Sequence, residues 1–467
     1  MPGELIAVLD IGRANAKLSL IDVESGAITW NVQRRCTTIA GSPIRSLDVV
    51  TIGNLLLAGL AGAPGKERIE AILPMTHGAA AVWLSASGEV LAAPDYEDPA
   101  FDEFGEAYRQ LRDPFETTFS PFLPLGHNLG RQIYHLQRQA PALYRACDAI
   151  MLYPQYWAWR LSGVKASEIT SLGYHTDLWR PREAAYSNLA SSQGWDELLP
   201  PIRAAGDELG PISPAIARIT GLDPKCRVLC GIHDSNASYL CHRARHPPGE
   251  RFALVSSGAL TSIMTSGSDL GELREARDML ATIDAFGTPV ATARFMGGRE
   301  YDTIAGDSPV RPQPSLESLH SVLKRPAVAL PSFSDRGGPF RGREGRLVNA
   351  DGLDDRERAA LATLYCALET DLVLDLLGTP CPVVVEGPLA TNPLYGRLLA
   401  TLRPNSGVSL GDYRGSSATE GSLFLVGRTA SPQLRAATPL DLPDLDVYRT
   451  EWRADATAKL PSEDRPH

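Results

Sequence analysis

An acid, a glycine turn and a base stand close together near the start of this chain, a combination suited to holding a phosphate. In residues 5–22, LIAVLDIGRANAKLSLID, two apolar β-prone runs at 5–9 and 18–21 flank a turn from Gly12 to Asn15. Glycine lets backbone N–H groups come close to an anion. Asp10, at a strand end, can hold a hydrated Mg²⁺, and Lys17 adds positive charge beside a phosphate. Residues 252–264, FALVSSGALTSIM, repeat the idea, with a strand running into Ser256, Ser257 and Gly258 before a second β-prone run. Two such hairpins, half a chain apart, point to two related halves that each offer one loop to the same phosphate chain across a cleft. Each alone also reads as an ordinary hairpin.

Further chemistry-bearing groups lie beyond these turns. His77 and Gly78 follow the strand-like IEAILPM; the imidazole there either hydrogen-bonds a polyol ligand or is satisfied by neighbouring backbone. Residues 94–104, PDYEDPAFDEF, have loop composition, and polar groups such as Asp95 and Tyr96 are suited to sugar hydroxyls or simply to solvent. The run KCRVLC delivers GIHDSNA, which places Asp234 at a strand-to-helix junction. A carboxylate there points into a cleft or caps the helix. PVVVEG ends in Glu386-Gly387 and leads to Asn392 and a helix over 395–402, a strand-turn-helix form that presents backbone N–H groups to a nucleotide.

The elements that must position these residues follow from periodicity and breakers. Helical spacing predicts helices over 46–62, over 128–161 with breaks at Pro141 and Pro154, over 195–209, and over 354–377 behind an aspartate cap. A small-residue helix is expected at 415–427. Residues 171–179, SLGYHTDLW, read as a loop rich in hydrogen-bonding groups, 309–339 as a proline-rich surface excursion, and the stretch from Pro432 as a peripheral tail. His246-Pro247-Pro248-Gly249 reads as an inter-domain connection. The domains expected are 1–245, 246–450 and a tail over 451–467.

At 467 residues the chain exceeds what one core comfortably supports, so two large domains are the default. A formal net charge of -10 argues against nucleic acid or an anionic membrane as partner. The N-terminus lacks a basic segment followed by a long apolar run, and residues 52–63 are too short to span a bilayer, so a cytoplasmic protein is expected. Seven scattered cysteines fit reduced thiols. Cys226, Cys230 and Cys241 with His233 and His242 match no familiar zinc spacing, and buried structural thiols are expected there.

These pieces, in this order, resemble the FGGY family of carbohydrate kinases within the actin, Hsp70 and sugar-kinase superfamily. LDIGRANAK resembles the family's first phosphate hairpin, THGA its sugar-contacting His-Gly, and YPQYWAWRLSG a helical stretch ending in Leu-Ser-Gly. GIHDSNA resembles the element carrying its aspartate, SSGALTS the second phosphate loop, and VEGPLATNPLYGRLLA the adenosine-side element. The resemblance implies an α/β fold of two ribonuclease H-like (actin-like ATPase) domains closing over a cleft. It implies Asp234 as the general base that deprotonates a sugar hydroxyl for in-line attack on ATP, and Asp10 as the holder of Mg²⁺ through water. Gly12, Arg13, Asn15, Lys17, Ser257, Gly258 and Ala259 would lie about the phosphates, and Gly387 and Asn392 near the adenine or ribose. His77, Gly78, Asp95, Tyr96 and Asp234 would meet the sugar. A small-molecule sugar is then the partner, and a homodimer the expected assembly.

Where the family usually has a threonine one or two places after Gly12 and another just after Gly258, this chain has Arg13-Ala14 and Ala259. One lost hydroxyl donor costs about 1–3 kcal/mol of transition-state stabilisation. Arg13 either compensates with its guanidinium or is a solvent-facing turn residue. Pro388 replaces a glycine of the adenosine element, and Glu420 stands where a small residue is usual. Two functions follow: an ATP-dependent kinase for a ketose such as L-rhamnulose, L-fuculose or a pentulose, or a weakly active or non-catalytic sugar- or nucleotide-binding protein of the same fold.

Overall fold

The computed structural model describes residues 4–41, 43–247, 249–306, 312–334, 337–378, 381–411, 417–428 and 433–458. Two compact units emerge: residues 1–245, 281–289 and 415–431 form one, and residues 246–280, 290–414 and 432–467 the other. The first break falls within the expected connection at His246, whose Pro248 lies outside the described residues. Two later stretches of the chain return to the first unit.

The first unit is built on the hairpin of β1 (Leu5–Ile11) and β2 (Asn15–Asp22), continued by β3 (Ile28–Arg35). β1 is apolar at every position but Asp10 because both of its faces are covered. β1 pairs antiparallel with β2 and parallel with β4 (Ile69–Thr76), which is reached through α1 (Val49–Gly62). The α1 cap is Asp48, whose side chain accepts the Thr51 N–H. Away from this sheet, β5 (Ala81–Leu84) pairs with β6 (Ala149–Leu152). α2 (Leu129–Gln139), α3 (Tyr153–Ser162) and α4 (Ile169–Leu172) follow the same course of chain. β7 (Glu208–Pro211), β8 (Arg227–Leu229) and β9 (Ile232–His233) complete the sheet, and α5 (Asp234–Arg243) leaves it. The order is β7-β8-β4-β1-β2-β3, with β9 also on β4.

The second unit repeats the plan. β10 (Ala253–Ser256) and β11 (Thr261–Thr265) form its hairpin; β12 (Met279–Ile283), whose residues from 281 onward fall in the first unit, and β13 (Pro289–Phe295) follow. After α6 (Gly297–Ala305), α7 (Leu316–Lys324) and α8 (Asp355–Leu376) comes β14 (Val383–Glu386), parallel to β10. α9 (Tyr395–Leu402) leads to β15 (Val408–Gly411). α10 (Ser417–Leu425) belongs to the first unit, and β16 (Leu434–Ala436) and α11 (Leu445–Thr457) close the second. The sheet runs β12-β13-β11-β10-β14-β15-β16. In both units an antiparallel hairpin opens the sheet, two parallel neighbours follow its first strand, and an antiparallel edge ends it.

Four expectations are corrected. The helical stretch over 128–161 is interrupted by β6, because AIML is a short apolar run that helix and strand periods fit equally. Residues 195–209 form a single turn at Asp196–Leu198 and short strands, since Pro200-Pro201 breaks any helix. Within 309–339 the described residues include α7 and a strand, Val328–Leu330; Pro309 lies outside them. The tail is corrected by α11, whose Trp452 is buried with Nε1 donating to the Ala329 carbonyl at 2.8 Å. Residues 459–467, and Gly415 at the start of the small-residue helix, lie outside the described residues. All seven cysteines are free, and six of them buried. No helix among the described residues is long and apolar enough to cross a membrane.

Candidate active site

Three parallel strand ends build the site of the first unit. β4 lies between β1 and β9, with Ile11 and His233 both opposite Thr76. The His77 N–H donates to the Ile11 carbonyl at 2.9 Å, which ties the strand ends together. Asp10 is the penultimate residue of β1, His77 follows β4, and Asp234 follows β9 as the first residue of α5, so the topology gathers three polar side chains at one end of the strands.

Asp10 is partly buried, and its carboxyl is pushed up to about 6, chiefly by desolvation, then by the nearby Asp234 charge, against the pull of Lys17. Lys17 is its cross-strand partner in the β1–β2 register. No protein donor bonds the Asp10 carboxylate among the described residues. The Asp10 carboxyl, with the Asp234 charge nearby, is a group that could hold a hydrated divalent ion, which would offset that charge. Asp234 keeps a 33%-exposed side chain. Its Oδ1 accepts from the Ser235 N–H at 2.6 Å and the Ser235 hydroxyl at 3.2 Å, with His233 Nε2 at 3.5 Å. Oδ2 has no partner among the described residues, leaving one oxygen for a ligand proton.

The first turn is arranged to offer amides. The Gly12 N–H is used within the turn, on the carbonyl of the exposed Asn15 at 2.9 Å. The amides of Arg13 and Ala14 make no bond among the described residues. Arg13 itself turns to the acidic loop: its guanidinium donates to Asp95 at 3.1 and 3.3 Å and to Glu97 at 2.8 Å. Asp95 is fully buried and also accepts from Arg45 at 2.6 Å, so both its oxygens are occupied by cations. The acidic loop therefore carries an ion network instead of a row of solvated carboxylates.

Rings close the remaining wall. His77 Nδ1 donates to the Gly78 carbonyl at 2.8 Å, which leaves Nε2 as the acceptor, and burial holds the imidazole below its usual pKa and therefore neutral. The His77 ring lies 5.5 Å from Tyr96 and 5.3 Å from Tyr153. Tyr96 in turn lies 4.9 Å from His127. Gly78 faces His233 and Tyr174, and a Cβ there would stand 2.8 Å from His233 Nε2. The Tyr174 and His233 rings lie 4.2 Å apart, tilted at 31°. Tyr153, Tyr174 and His127 were not singled out from sequence; SLGYHTDLW carries Tyr174, but nothing in its spacing aims that ring at Gly78.

The second unit holds a crevice of ≈ 430 Å³. Ser257, Gly258, Ala259, Pro388 and Asn392 line it, and Gly387 supports it. The amides of Gly258, Ala259 and Leu260 have no partner among the described residues, matching the first turn. The Ser257 hydroxyl is committed to the neighbouring strand: it donates to the Glu386 carbonyl at 2.5 Å and accepts the Leu389 N–H at 3.0 Å. Gly387 has φ +79°, and a Cβ there would lie 2.0 Å from the Ser257 carbonyl oxygen, so only glycine lets these two strand ends meet. The Asn392 side chain accepts from the Leu394 and Tyr395 amides and donates to Thr363 at 3.0 Å. It shapes the crevice wall more than it reaches into it. Gly298, Arg299, Tyr301 and Asp302 of α6 also line the crevice and were missed from sequence. The strand-Gly-Gly-helix form of FMGGRE is the signal that could have found them.

Residues 249–433 match the family described as carbohydrate kinase FGGY, C-terminal domain. The crystal structure of a carbohydrate kinase from Novosphingobium aromaticivorans is 35% identical over 96% of this chain and 100% of that one, with a TM-score of 0.88. The chain belongs to the FGGY carbohydrate kinases. Its two units are the actin-like ATPase domains of that family. The ligand-bound xylulose kinase from Lactobacillus acidophilus (14% identity, 98% of this chain and 99% of that one, TM-score 0.79) shares the kinase's fold. So does Plasmodium falciparum glycerol kinase with ADP (13% identity, 98% and 99%, TM-score 0.76).

Proposed function

We propose that this carbohydrate kinase transfers the terminal phosphoryl group of ATP to a hydroxyl of a ketose, with Asp234 as the general base. The observation that carries the reading is the gathering of Asp10, His77 and Asp234 at the ends of β1, β4 and β9. A sugar hydroxyl beside Asp234 Oδ2 gives up its proton to that oxygen as it attacks. Neutral His77 accepts from a second hydroxyl through Nε2 and so orients the ring or chain. The unpartnered amides of Arg13 and Ala14, and of Gly258 and Ala259, supply phosphate donors without the threonine hydroxyls. Asp10 would hold Mg²⁺ through water; when bound, the ion neutralises charge on the phosphoryl oxygens. The crevice of the second unit is the place proposed for the nucleoside, and a relative of the same fold binds ADP.

The ketose is proposed as L-rhamnulose, L-fuculose or a pentulose, and the preference for the first two rests on the similarity of DIGRANAK, SLGYHTDLW and VEGPLATNP to rhamnulose and fuculose kinase-like proteins. The test is ADP release with Mg²⁺-ATP against D-xylulose, L-ribulose, L-rhamnulose, L-fuculose, aldoses and polyols. Turnover with a ketose well above the sugar-free background is expected. Turnover with an aldose or polyol alone would overturn the ketose assignment.

A further inference from the structure

The turn that carries Asp234 is gripped from both sides by buried side chains. Gln155 of α3 donates through Nε2 to the carbonyls of Cys230 and Gly231, both at 3.1 Å. From the other side the His233 N–H donates to the Thr170 hydroxyl at 3.0 Å. His233 immediately precedes Asp234, so this bond sets the direction in which the base leaves β9 and enters α5.

Thr170 cannot turn away from that bond without loss. Its hydroxyl has one proton, and that proton is given to Glu168 Oε2 at 2.6 Å. The oxygen's remaining lone pairs are therefore what His233 meets. Glu168 is itself fixed: it caps α4, with Oε1 accepting the Thr170 N–H at 2.9 Å and Oε2 the Ser171 N–H at 3.3 Å. Glu168 and Thr170 are fully buried and His233 nearly so, while Asp234 alone reaches out to solvent. A buried carboxylate is costly to keep in a core, and Glu168 turns both of its oxygens to the short turn that carries Thr170.

We propose that Thr170, oriented by Glu168, is a positioning residue for phosphoryl transfer, holding the Asp234 turn in its reactive direction. The inference rests on the reading of Asp234 as base. It makes Glu168 and Thr170 part of the machinery although neither lies at the strand ends where the ligand would bind.

Three proteins test it, Thr170→Val, Thr170→Ser and Thr170→Val in an Asp234→Asn background, each first compared with the parent by thermal melting. With the best ketose of D-xylulose, L-ribulose, L-rhamnulose and L-fuculose, Thr170→Val should lower kcat roughly ten- to hundredfold, with both KM values within about threefold. Thr170→Ser, which keeps the hydroxyl, should stay within about threefold of the parent, and Thr170→Val should cost Asp234→Asn nothing further. A Thr170→Val enzyme above half the parental kcat, a Thr170→Ser enzyme as poor as Thr170→Val, or losses that multiply in the double variant would overturn the proposal. Amide exchange separates this from the substrate reading, because it needs no sugar. If no ketose turns over, faster exchange confined to residues 230–236 in Thr170→Val supports the grip on the turn, and unchanged exchange there overturns it.

Discussion

Asp10 shows how a residue can be placed against its own comfort. Burial and the neighbouring charge lift the Asp10 carboxyl from 3.8 to about 6, so the folded state binds that proton more tightly than the unfolded chain does. The stability this confers is present below pH 3.8 and lost as the pH rises through 6, above which the ionised group destabilises the fold. Asp10→Asn should therefore melt higher than the parent at pH 7.5 without divalent cations, by about 1–2 kcal/mol once solvent screening at this half-open position is counted, and match it near pH 4. The same variant should lose activity. Equal melting at pH 7.5 would contradict the charge crowding. The identities of Asp10, His77 and Asp234 were legible in sequence because each ends an apolar run, whereas the partners of Arg13 were not. Its bonds to Asp95 and Glu97 join residues more than eighty positions apart, a pairing that spacing does not encode.

Elements were legible where one period or one cap dominates. The helix Asp355–Leu376 announces itself through Asp354 and Glu357, which form a capping box, and β14 through its run of valines. β6 and α11 were not, because tertiary contacts decide them: β6 is a strand only beside β5, and α11 a docked helix only through its partners. Those partners are specific. Arg449 and Arg453 meet the buried Asp371 at 2.7 and 2.6 Å, and Tyr448 donates to the Ala327 carbonyl at 2.7 Å. Trp452→Ala should cost the second unit about 3–5 kcal/mol, read by denaturant melts. A loss below about 1 kcal/mol would mean that α11 is the peripheral tail its composition suggests. At the β10–β14 junction, Gly387→Ala forces the Ser257 loop to move. Bisubstrate kinetics should show the KM for ATP rising roughly tenfold while the KM for sugar stays within about twofold. A parallel rise in both would show that the loop does not belong to the nucleotide side.

Across the whole molecule, the repetition seen in two short hairpins extends to six strands of each sheet in matching order and sense, with β9 added to the first sheet and β12 to the second. That duplication was visible from sequence because the hairpins keep their glycines. The return of residues 281–289 and 415–431 to the first unit was not, since nothing in their composition marks a crossing. The duplicated plan leaves Asp234, the proposed base, in one unit, on α5, and the crevice of ≈ 430 Å³ in the other. In each unit the turn itself presents amides without a partner among the described residues, and on the proposed reading such backbone donors would stand in for the threonine hydroxyls, since they do not depend on the side chain that follows the glycine.

The most direct test of this account is the kcat of Asp234→Asn measured with the best sugar substrate under saturating Mg²⁺-ATP. A general base contributes about 10²- to 10⁴-fold, so a fall of that size is expected, with both KM values and the melting temperature close to the parent's. An Asp234→Asn enzyme that kept the parental kcat would contradict it, and the proton acceptor would have to be sought elsewhere at the ends of β1 and β4.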